Sequence, residues 1–473
     1  MESNTRNQKT KKWKFSMPHS YIVIGMIIVF AMILTYIIPA GEYDRITDPV
    51  TGRNIVSPDS FHFVEQSPVS IFQMFKAIMS GMVDAADIIF FVFFSYAFMS
   101  MLIHVGAFNA GIGALLNKIK GKEKFIIPVL MLAFGAMGAS FGMYEEAYGF
   151  VPLVMSITIA MGYDGLVGAV IVFVGVATGF AAAVINPYTI AIAQGIAELP
   201  VFSGFGLRII IWICFMTLVI WYTMRYADKV KKDPTKSAVY GISFPFLSEL
   251  SHDELLEQEF TSIHKVSLTL FAFTLILLVY GTMKFGWYLE ELAGLFIIMM
   301  FVIGLVNKQS LGQICDIFIE SSKNILFGAL IIGIARTVLI VLQNGQIIDT
   351  VAYYMSSALT HVPTVFTAQA MLVFQNLINF FIPSGSGQAA TSMPIMTPLA
   401  DILGINRQIA VLAFQFGDGF SNLFWPTQVA IECGIAGIPL AKWYKYFGPL
   451  FLCMFILQMI FIAIAVGINY GPY

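Results

Sequence analysis

Long apolar runs recur along the whole chain, separated by short polar stretches rich in glycine, proline and basic residues. A helix needs about 20 mainly apolar residues to cross the hydrocarbon core of a bilayer. The pattern therefore predicts an all-α polytopic membrane protein with about nine full spans. The runs assigned as spans, two of them interrupted, are residues 21–38, 88–105, 166–197, 207–222, 266–280, 292–306, 325–342, 409–436 and 447–466.

Two further apolar regions are too short to cross the membrane and return. Residues 125–134 and 147–160 flank a glycine-rich segment, and two more short pieces flank Pro383-Ser384-Gly385-Ser386-Gly387. At about 1.5 Å rise per residue, each piece reaches only partway into the bilayer. We expect two re-entrant helical hairpins, one at residues 125–160 and one at 364–402.

Two of the spans are interrupted by helix-breaking sequence. The first break is Asn186-Pro187, within residues 164–200, and the second runs from Gly417 to Pro426, within residues 406–439. Lipid cannot satisfy free backbone N–H and C=O groups, so such a break is tolerated only where protein or a watery cavity covers it. The breaks therefore predict a polar site at membrane depth.

The second half of the chain repeats the first. Pro152 precedes Pro394 by 242 residues, Gly179 precedes Gly419 by 240, and Pro187 precedes Pro426 by 239. The basic clusters, read by the positive-inside rule, place the first hairpin on the cytoplasmic side and the second outside. The chain is thus predicted to hold an inverted repeat, the usual construction of a secondary transporter.

The positive-inside rule predicts a cytoplasmic N-terminus, and we expect the chain to lie in the cytoplasmic, or inner, membrane. The spans and basic clusters also divide the chain into parts. The predicted parts are a cytoplasmic tail at 1–20, the first span and an extracellular loop at 21–69, repeat one at 70–226, a cytoplasmic linker at 227–264, connecting spans at 265–308, repeat two at 309–467, and a C-terminal tail at 468–473.

Composition agrees with a membrane protein and excludes several other classes. The chain is 58% hydrophobic and 11% charged, against about 25% charged residues in soluble domains. A net charge of −2 gives no basis for nucleic-acid binding. The four cysteines form no CxxC and the six histidines form no HExxH, so we expect no metal site and no cofactor other than a coupling Na⁺ or H⁺. No nucleophile–base spacing indicates an enzyme.

The hairpins and breaks carry the candidate binding groups. Half-helix N-termini attract anions, and unwound carbonyls coordinate cations. The hydroxyls and amides predicted to contact a small polar solute are Ser140, Asn186, Thr189, Ser384, Ser386, Asn422 and Thr427. Those predicted to hold an ion are Asp418, Ser421 and Asn186. The alternative is that they are ordinary packing residues between helices.

Four charged residues lie in otherwise apolar surroundings. Glu145 and Glu146 lie where the first hairpin turns back, and could bind a cationic group or carry a proton. They could equally reach solvent at the headgroups. Asp418, between two glycines, could ligate Na⁺, pair with a cationic substrate or cap the broken helix. Arg336 could receive a substrate carboxylate or pair with Asp84 or Asp87.

Several motifs resemble those of a known family. The family groups YfcC-like basic amino-acid antiporters, arginine/ornithine antiporters of lactic bacteria and C4-dicarboxylate anaerobic carriers. The resemblance covers nearly the whole chain and is most specific at residues 142–146 (GMYEE), 185–187 (INP), 225–229 (RYADK), 232–236 (KDPTK), 344–350 (NGQIIDT), 382–387 (IPSGSG) and 415–419 (QFGDG).

The resemblance implies a branch of the ion transporter superfamily, with paired hairpins, an elevator motion and a homodimeric scaffold. Two positions depart from the arginine/ornithine antiporters. Arg336 is followed by Thr337 where those proteins carry Arg-Gly, and Asp418 lies where they lack an acid. Asp418 is shared with the YfcC-like branch, which leaves room for coupling to a cation.

The sequence therefore predicts a secondary active transporter. The preferred substrate is a basic amino acid exchanged across the membrane, with Glu145, Glu146 and Asp418 facing its cationic end. The alternative is Na⁺- or H⁺-coupled symport of a C4-dicarboxylate or peptide-like carboxylate, with Arg336 on the substrate and Asp418 on the ion. A channel would need a continuous pore and no paired hairpins.

Overall fold

The computed structural model describes residues 20–47, 54–119, 122–140, 142–244, 258–359 and 362–471. Most of the predicted N-terminal tail and the acidic stretch of the predicted linker lie outside these ranges. The eighteen α-helices in the described ranges are α1 Ser20–Ile37, α2 Ile71–Asp84, α3 Ala86–His104, α4 Ala107–Ile119, α5 Ile126–Ser140, α6 Val151–Ala160, α7 Gly165–Ala182, α8 Ile190–Ile196, α9 Phe205–Lys232, α10 Ser262–Phe285, α11 Leu289–Val306, α12 Leu311–Asn344, α13 Ile348–Leu359, α14 Thr364–Phe381, α15 Gly385–Ile402, α16 Arg407–Gly419, α17 Pro426–Ile435 and α18 Leu440–Gly467.

The apolar helices make this a multi-pass membrane protein, as predicted. Seven helical segments in the described ranges are long and apolar enough to cross a bilayer, and α1 and α10 contain shorter apolar stretches. The segments of spanning length are residues 86–104, 123–140, 165–182, 205–232, 289–306, 311–344 and 440–467. The prediction that residues 125–134 form a piece too short to cross was wrong in length, because the helix continues through Gly135 and Gly138 to Ser140.

The order of helices in the second half matches that in the first. Helices α3 to α9 run as a long helix, a short helix, two antiparallel pieces, an interrupted pair and a long final helix, and α12 to α18 follow the same order. Residues 71–104 form α2 and α3 with an interruption at Ala85, whereas residues 311–344 form the single helix α12. Ser70 and Ser310 begin these segments with the same capping box, each with a glutamine three residues later.

Glycines determine how closely α5 and α7 pack. Gly135 and Gly138, which the sequence suggested as part of the hairpin turn, lie inside α5. A side chain on Gly179 of α7 would overlap the carbonyl oxygen of Gly135, and one on Gly138 would overlap that of Val176. The two backbones therefore approach more closely than larger residues would allow. The turn itself follows at residues 142–150, mostly as a 3₁₀ segment from Glu145 to Phe150.

The loop after α1 packs against the second half of the chain. It forms two antiparallel strand pairs, in which β1 Gly41–Glu42 pairs with β4 His62–Phe63 and β2 Arg45–Thr47 pairs with β3 Asn54–Val56. Arg45 makes a bidentate ion pair with Asp349 of α13, with both N···O distances 2.9 Å. The Tyr43 backbone N–H donates to the same carboxylate at 3.0 Å. These bonds fasten the loop to α13.

Polar contacts also join the two interrupted helices to each other. Arg407, at the start of α16, contacts Glu198 and Asp401, each at 2.7 Å. Glu198 follows α8 and Asp401 lies at the end of α15. At the middle of the bundle the Gln415 side chain donates to the Phe180 carbonyl at 2.7 Å. Helices α7, α8, α15 and α16 therefore form one connected body.

Candidate functional site

The first helix pair is α5 with α6, and the second is α14 with α15. The turn of each pair lies against the helix breaks, which separate α7 from α8 and α16 from α17. In the first half, the Ile185 N–H donates to the Ala139 carbonyl at 3.0 Å. Gly142, in the left-handed region at φ +69°, lies so close to Asn186 that an added Cβ would be 2.5 Å from its Oδ1. In the second half, Gly385 begins α15 next to Thr189 and Asp418. The four segments predicted from sequence as the site therefore meet in space.

Asp418 is the buried charge at this meeting point. Its side chain is 0% exposed. Its Oδ1 accepts a hydrogen bond from Nδ2 of Asn379 at 3.1 Å, whereas Oδ2 has no partner in the described part of the chain. A buried carboxylate oxygen without a partner costs free energy unless a cation or a proton satisfies it. The geometry thus suits Asp418 to receive a cation.

A network of neutral side chains holds Asp418 in place. Asn379 of α14 donates to Asp418 and also to Oε1 of Gln388 at 3.2 Å. Its own carbonyl oxygen accepts from the Ser421 hydroxyl at 2.7 Å. Gln388 of α15 donates in turn to Oε1 of Gln375 at 2.8 Å. The network joins α14, α15 and the end of α16, so the position of Asp418 depends on all three.

Other polar atoms around this point also lack partners. Each is buried, and none has a hydrogen-bond partner among the residues described. Native interiors satisfy most buried polar groups, so several unsatisfied ones together indicate a place for a ligand or an ion. The atoms are Asn186 Nδ2, Thr189 Oγ1, Asn422 Oδ1 and Thr427 Oγ1.

A narrow cavity brings together three of the predicted residues. Glu145, Arg336 and Thr427 line it, with Pro383 and Gln428, and its volume is about 30 Å³. Arg336 of α12 is ion-paired through Nε with Asp84 of α2. This ion pair is one of the alternatives that the sequence offered for Arg336. Arg336 also lines the wall of the cavity.

A second, larger cavity of about 480 Å³ lies between the loop and the second helix pair. Arg45 and Asp349 line one side of it, and Ser384 and Gly387 line the other. Arg336 lies in the walls of both cavities. Two guanidinium groups therefore flank this space, although each already has a carboxylate partner.

Other predicted residues serve local structure in this arrangement. Ser384 caps α15 by accepting from the Gly387 N–H at 3.3 Å. Glu146 is buried and accepts from the Tyr144 N–H at 2.9 Å. Ser140 bonds the Ala136 carbonyl one turn earlier in α5. Ser386 is half-buried in the first turn of α15. These contacts shape the turns that face Asp418 and Asn186.

Sequence reasoning missed two of the amides in the network around Asp418. Gln375 and Asn379 lie in α14, and both side chains are 0% exposed. The available signal was their spacing. Residues 375 and 379 are four apart on one helix, so their side chains lie on the same face. Polar residues on one face of an apolar helix indicate a buried polar contact.

An all-helical membrane bundle with two interrupted helices and a buried polar centre defines the class of membrane transporters. The chain belongs to the C4-dicarboxylate anaerobic carrier family, whose model matches residues 17–467. It is therefore a member of a family of membrane transporters of small solutes.

Two bacterial relatives align with almost the whole chain. The Escherichia coli protein named "Putative basic amino acid antiporter YfcC" is 30% identical over 97% of this chain and 98% of its own. A Haemophilus influenzae protein is also 30% identical, with the same coverage. Among solved structures, the YdaH transporter of Alcanivorax borkumensis is 15% identical, covers 96% of this chain and 100% of its own, and has a TM-score of 0.43. MtrF of Neisseria gonorrhoeae is 17% identical over 95% of each chain, with a TM-score of 0.39.

Proposed function

We propose that the protein exchanges basic amino acids across the cytoplasmic membrane. The observation that carries this proposal is the free, buried Oδ2 of Asp418, which lies between the two helix breaks beside Thr189 and Gly385. A guanidinium or ammonium group would supply the missing donor and the missing charge. The name of the Escherichia coli relative supports the same substrate class.

The substrate would lie between the helix breaks and the narrow cavity. Glu145 lines the cavity, and with Asp418 and the buried Glu146 it makes the surroundings acidic. The substrate carboxylate would bind the free hydroxyls and amides of Thr189, Asn186 and Thr427 and the N-terminal turn of α15. Ser140, Ser384 and Ser386 would act by shaping the turns, and Asn422 by contact through its free Oδ1.

Alternating access in this proposal is a movement of one body past another. Helices α7, α8, α15 and α16 would move together, because the contacts of Arg407 and Gln415 join them. The inverted repeats would be residues 70–226 and 309–467, with the hairpins entering from opposite sides and the N-terminus in the cytoplasm. A homodimer would supply a fixed scaffold against which the body moves.

A second candidate is Na⁺- or H⁺-coupled symport of a C4-dicarboxylate or peptide-like carboxylate. The observation in its favour is Arg336, which lies in the walls of both cavities. Arg336 would bind the substrate carboxylate, and Asp418 with Ser421, Asn186 and their neighbours would hold the ion. The family description points in the same direction.

Transport by reconstituted protein separates the two candidates. Proteoliposomes loaded with unlabelled arginine should take up labelled arginine without any ion gradient, and vesicles lacking internal arginine should not. Uptake of labelled succinate into empty vesicles, driven by a Na⁺ or proton gradient, would instead support symport. Failure of both substrates would contradict both candidates.

Asp418→Asn tests the residue that carries the proposal. The amide keeps the shape of the side chain but removes the charge, so arginine exchange should fall by at least tenfold while the protein remains folded. Asp316→Asn is the matched control, because Asp316 is exposed near the start of α12, 20 residues before Arg336 and thus about 30 Å away along the helix. Exchange by Asp418→Asn equal to that of the control would refute the role.

A further inference from the structure

Glu432 is a second fully buried carboxylate, outside the site described above. It lies in α17 between the apolar Ile431 and the weakly polar Cys433, and its side chain is 0% exposed. It does not line the narrow cavity, although Gln428 and Ile431 of the same helix do. An ionisable residue at membrane depth is costly, and such residues are usually retained for function.

The partners of Glu432 are two tyrosines from the turn of the first helix pair. Tyr144 and Tyr148 donate to Oε1 at 3.4 and 3.3 Å. Oε2 has no partner in the ranges described. Two long hydrogen bonds to one oxygen do not replace the solvation that an ionised carboxylate loses on burial.

No positive charge compensates Glu432. None of the ion pairs between described residues includes it. Helix α1 also packs against α17 and has no charged residue between Ser20 and Ile37. Arg336 of α12 lines the adjacent cavity but is paired with Asp84. The titratable groups that face Glu432 or its helix are Tyr144, Glu145 and Tyr148 from the turn, Tyr444 from α18, Tyr96 from α3 and Cys433 on α17 itself.

These surroundings favour the neutral form of the carboxyl. An ionised Glu432 would be buried beside Glu145 without a counter-charge, which is the arrangement that protein interiors avoid most strongly. A protonated carboxyl keeps Oε1 as an acceptor for the tyrosines and places its O–H on Oε2. Burial and the absence of a counter-charge therefore favour a carboxyl that holds a proton, and the two tyrosine hydrogen bonds to Oε1 are compatible with it.

We propose that Glu432 is a proton-carrying site of the transport cycle, which exchanges its proton with water when the turn at residues 142–150 separates from α17. The step is a simple proton transfer, in which the Glu432 O–H bond breaks, water accepts the proton and the remaining carboxylate is solvated. The reverse step reloads it.

A hydrogen-bond chain connects this site to the narrow cavity. The Gln428 side chain lines the cavity and donates to the Tyr148 hydroxyl at 3.1 Å, and that hydroxyl donates to Glu432. A solute that accepts the hydrogen bond of the Gln428 amide would remove that bond from the Tyr148 hydroxyl. The hydrogen bond from Tyr148 to Glu432 would then become weaker. Solute binding and protonation would thus be linked. This link rests on the proposed transport function, whereas the protonation itself does not.

Infrared difference spectroscopy tests the protonation without any substrate. Purified full-length protein and its Glu432→Gln variant are compared near neutral pH. The wild type should show a protonated carboxyl band that the variant lacks. The absence of such a difference between two folded proteins would overturn the proposal, whatever the outcome of the transport assays.

Tyr148→Phe provides a second variant in case Glu432→Gln does not fold. It keeps the carboxyl but removes one hydroxyl that donates to it. The carboxyl band should therefore remain and move to higher frequency, as expected when a carbonyl loses a hydrogen bond. A band at the wild-type frequency would place the protonated group elsewhere and contradict the assignment.

Proton movement during transport tests the coupling. Proteoliposomes containing unlabelled arginine and a trapped pH-sensitive dye receive external L-arginine together with an external acid pulse, and the dye should report arginine-dependent proton entry with wild-type protein and at least tenfold less with Glu432→Gln. Counterflow of labelled arginine, measured in the same vesicles without a pH gradient, serves as the separate test of exchange. Undiminished proton flux in the variant would refute the coupling. Absent counterflow in the wild type would refute the exchange function alone, because the infrared result still decides the protonation.

Discussion

Gly385 and Asp418 approach each other so closely that only a glycine fits at position 385. An added Cβ on Gly385 would lie 2.8 Å from Oδ2 of Asp418 and 2.6 Å from Cγ2 of Thr189. The first turn of α15 therefore presents bare backbone to the carboxylate. This contact joins the second helix pair to both helix breaks, and a ligand of Asp418 must share the space that Gly385 leaves open.

Gly385→Ala should reduce transport strongly. The added methyl group would displace either the Asp418 carboxylate or Thr189, both of which are proposed to bind the transported solute or ion. We expect at least a tenfold fall in arginine exchange by reconstituted protein. Gly387→Ala is the control, because its Cβ would meet the Ser384 side chain at 3.2 Å and the carboxylate not at all. Equal losses in the two variants would argue against a special role for the Gly385 contact.

Asn379→Ala should lower the free energy of unfolding and weaken solute binding together. The change removes the hydrogen-bond donor of two buried oxygens, Oδ1 of Asp418 and Oε1 of Gln388. An unsatisfied buried polar group costs about 1–3 kcal/mol. Thermal unfolding in detergent, with and without arginine, measures both effects. Asn376→Ala should cost less, because the Asn376 amide nitrogen has no partner among the described residues. A smaller decrease in the free energy of unfolding for Asn379→Ala than for Asn376→Ala would contradict the proposed network.

Asp349→Ala should release the loop that follows α1. The change removes the acceptor of both Arg45 and the Tyr43 N–H. Trypsin should then cleave after Arg45 faster than in the wild type, as followed by mass spectrometry on purified protein. Asp59→Ala is the control, since Asp59 is exposed on the same loop and should leave the cleavage rate unchanged. An unaltered rate in Asp349→Ala would show that the strands alone hold the loop.

Gly179→Ala should destabilise the pair formed by α5 and α7. The methyl group would overlap the Gly135 carbonyl, so the two helices would have to separate. Overpacking of this kind typically costs about 1–3 kcal/mol. Gly206→Ala has nothing within 4 Å of its Cβ and should be neutral or slightly stabilising. The midpoint of thermal unfolding in detergent is measured for both variants. A Gly179→Ala midpoint equal to that of the wild type would show that α5 and α7 can separate at little cost.

The class and the interruptions of the helices could be predicted because they depend on local sequence. Apolar length indicates a membrane helix wherever it occurs. The first break, predicted at Asn186-Pro187, lies between the end of α7 at Ala182 and the start of α8 at Ile190. Proline removes a helical hydrogen bond regardless of tertiary context. The second break ends where Pro426 begins α17, for the same reason.

The partners of individual side chains could not be predicted, because they depend on packing between distant segments. Arg336 and Asp84 are 252 residues apart, and Asp84 was one of several possible partners. Gly135 looked like part of a turn because glycine is common in turns, yet here it permits close helix packing. Glu432 is a lone charge in an apolar run, as Arg336 is, and was overlooked because its partners Tyr144 and Tyr148 meet it only when α17 packs against the turn at residues 142–150.

The contacts of Arg407 and Gln415 have a mechanical consequence. Glu198 and Phe180 belong to the first half of the chain, whereas Arg407 and Gln415 belong to the second. The two halves are therefore joined at two separate places, by an exposed ion pair and by a buried hydrogen bond, so a shift of one half relative to the other would break both. Loss of the Arg407 side chain would remove the ion pair between the halves and leave the hydrogen bonds of the polar centre in place.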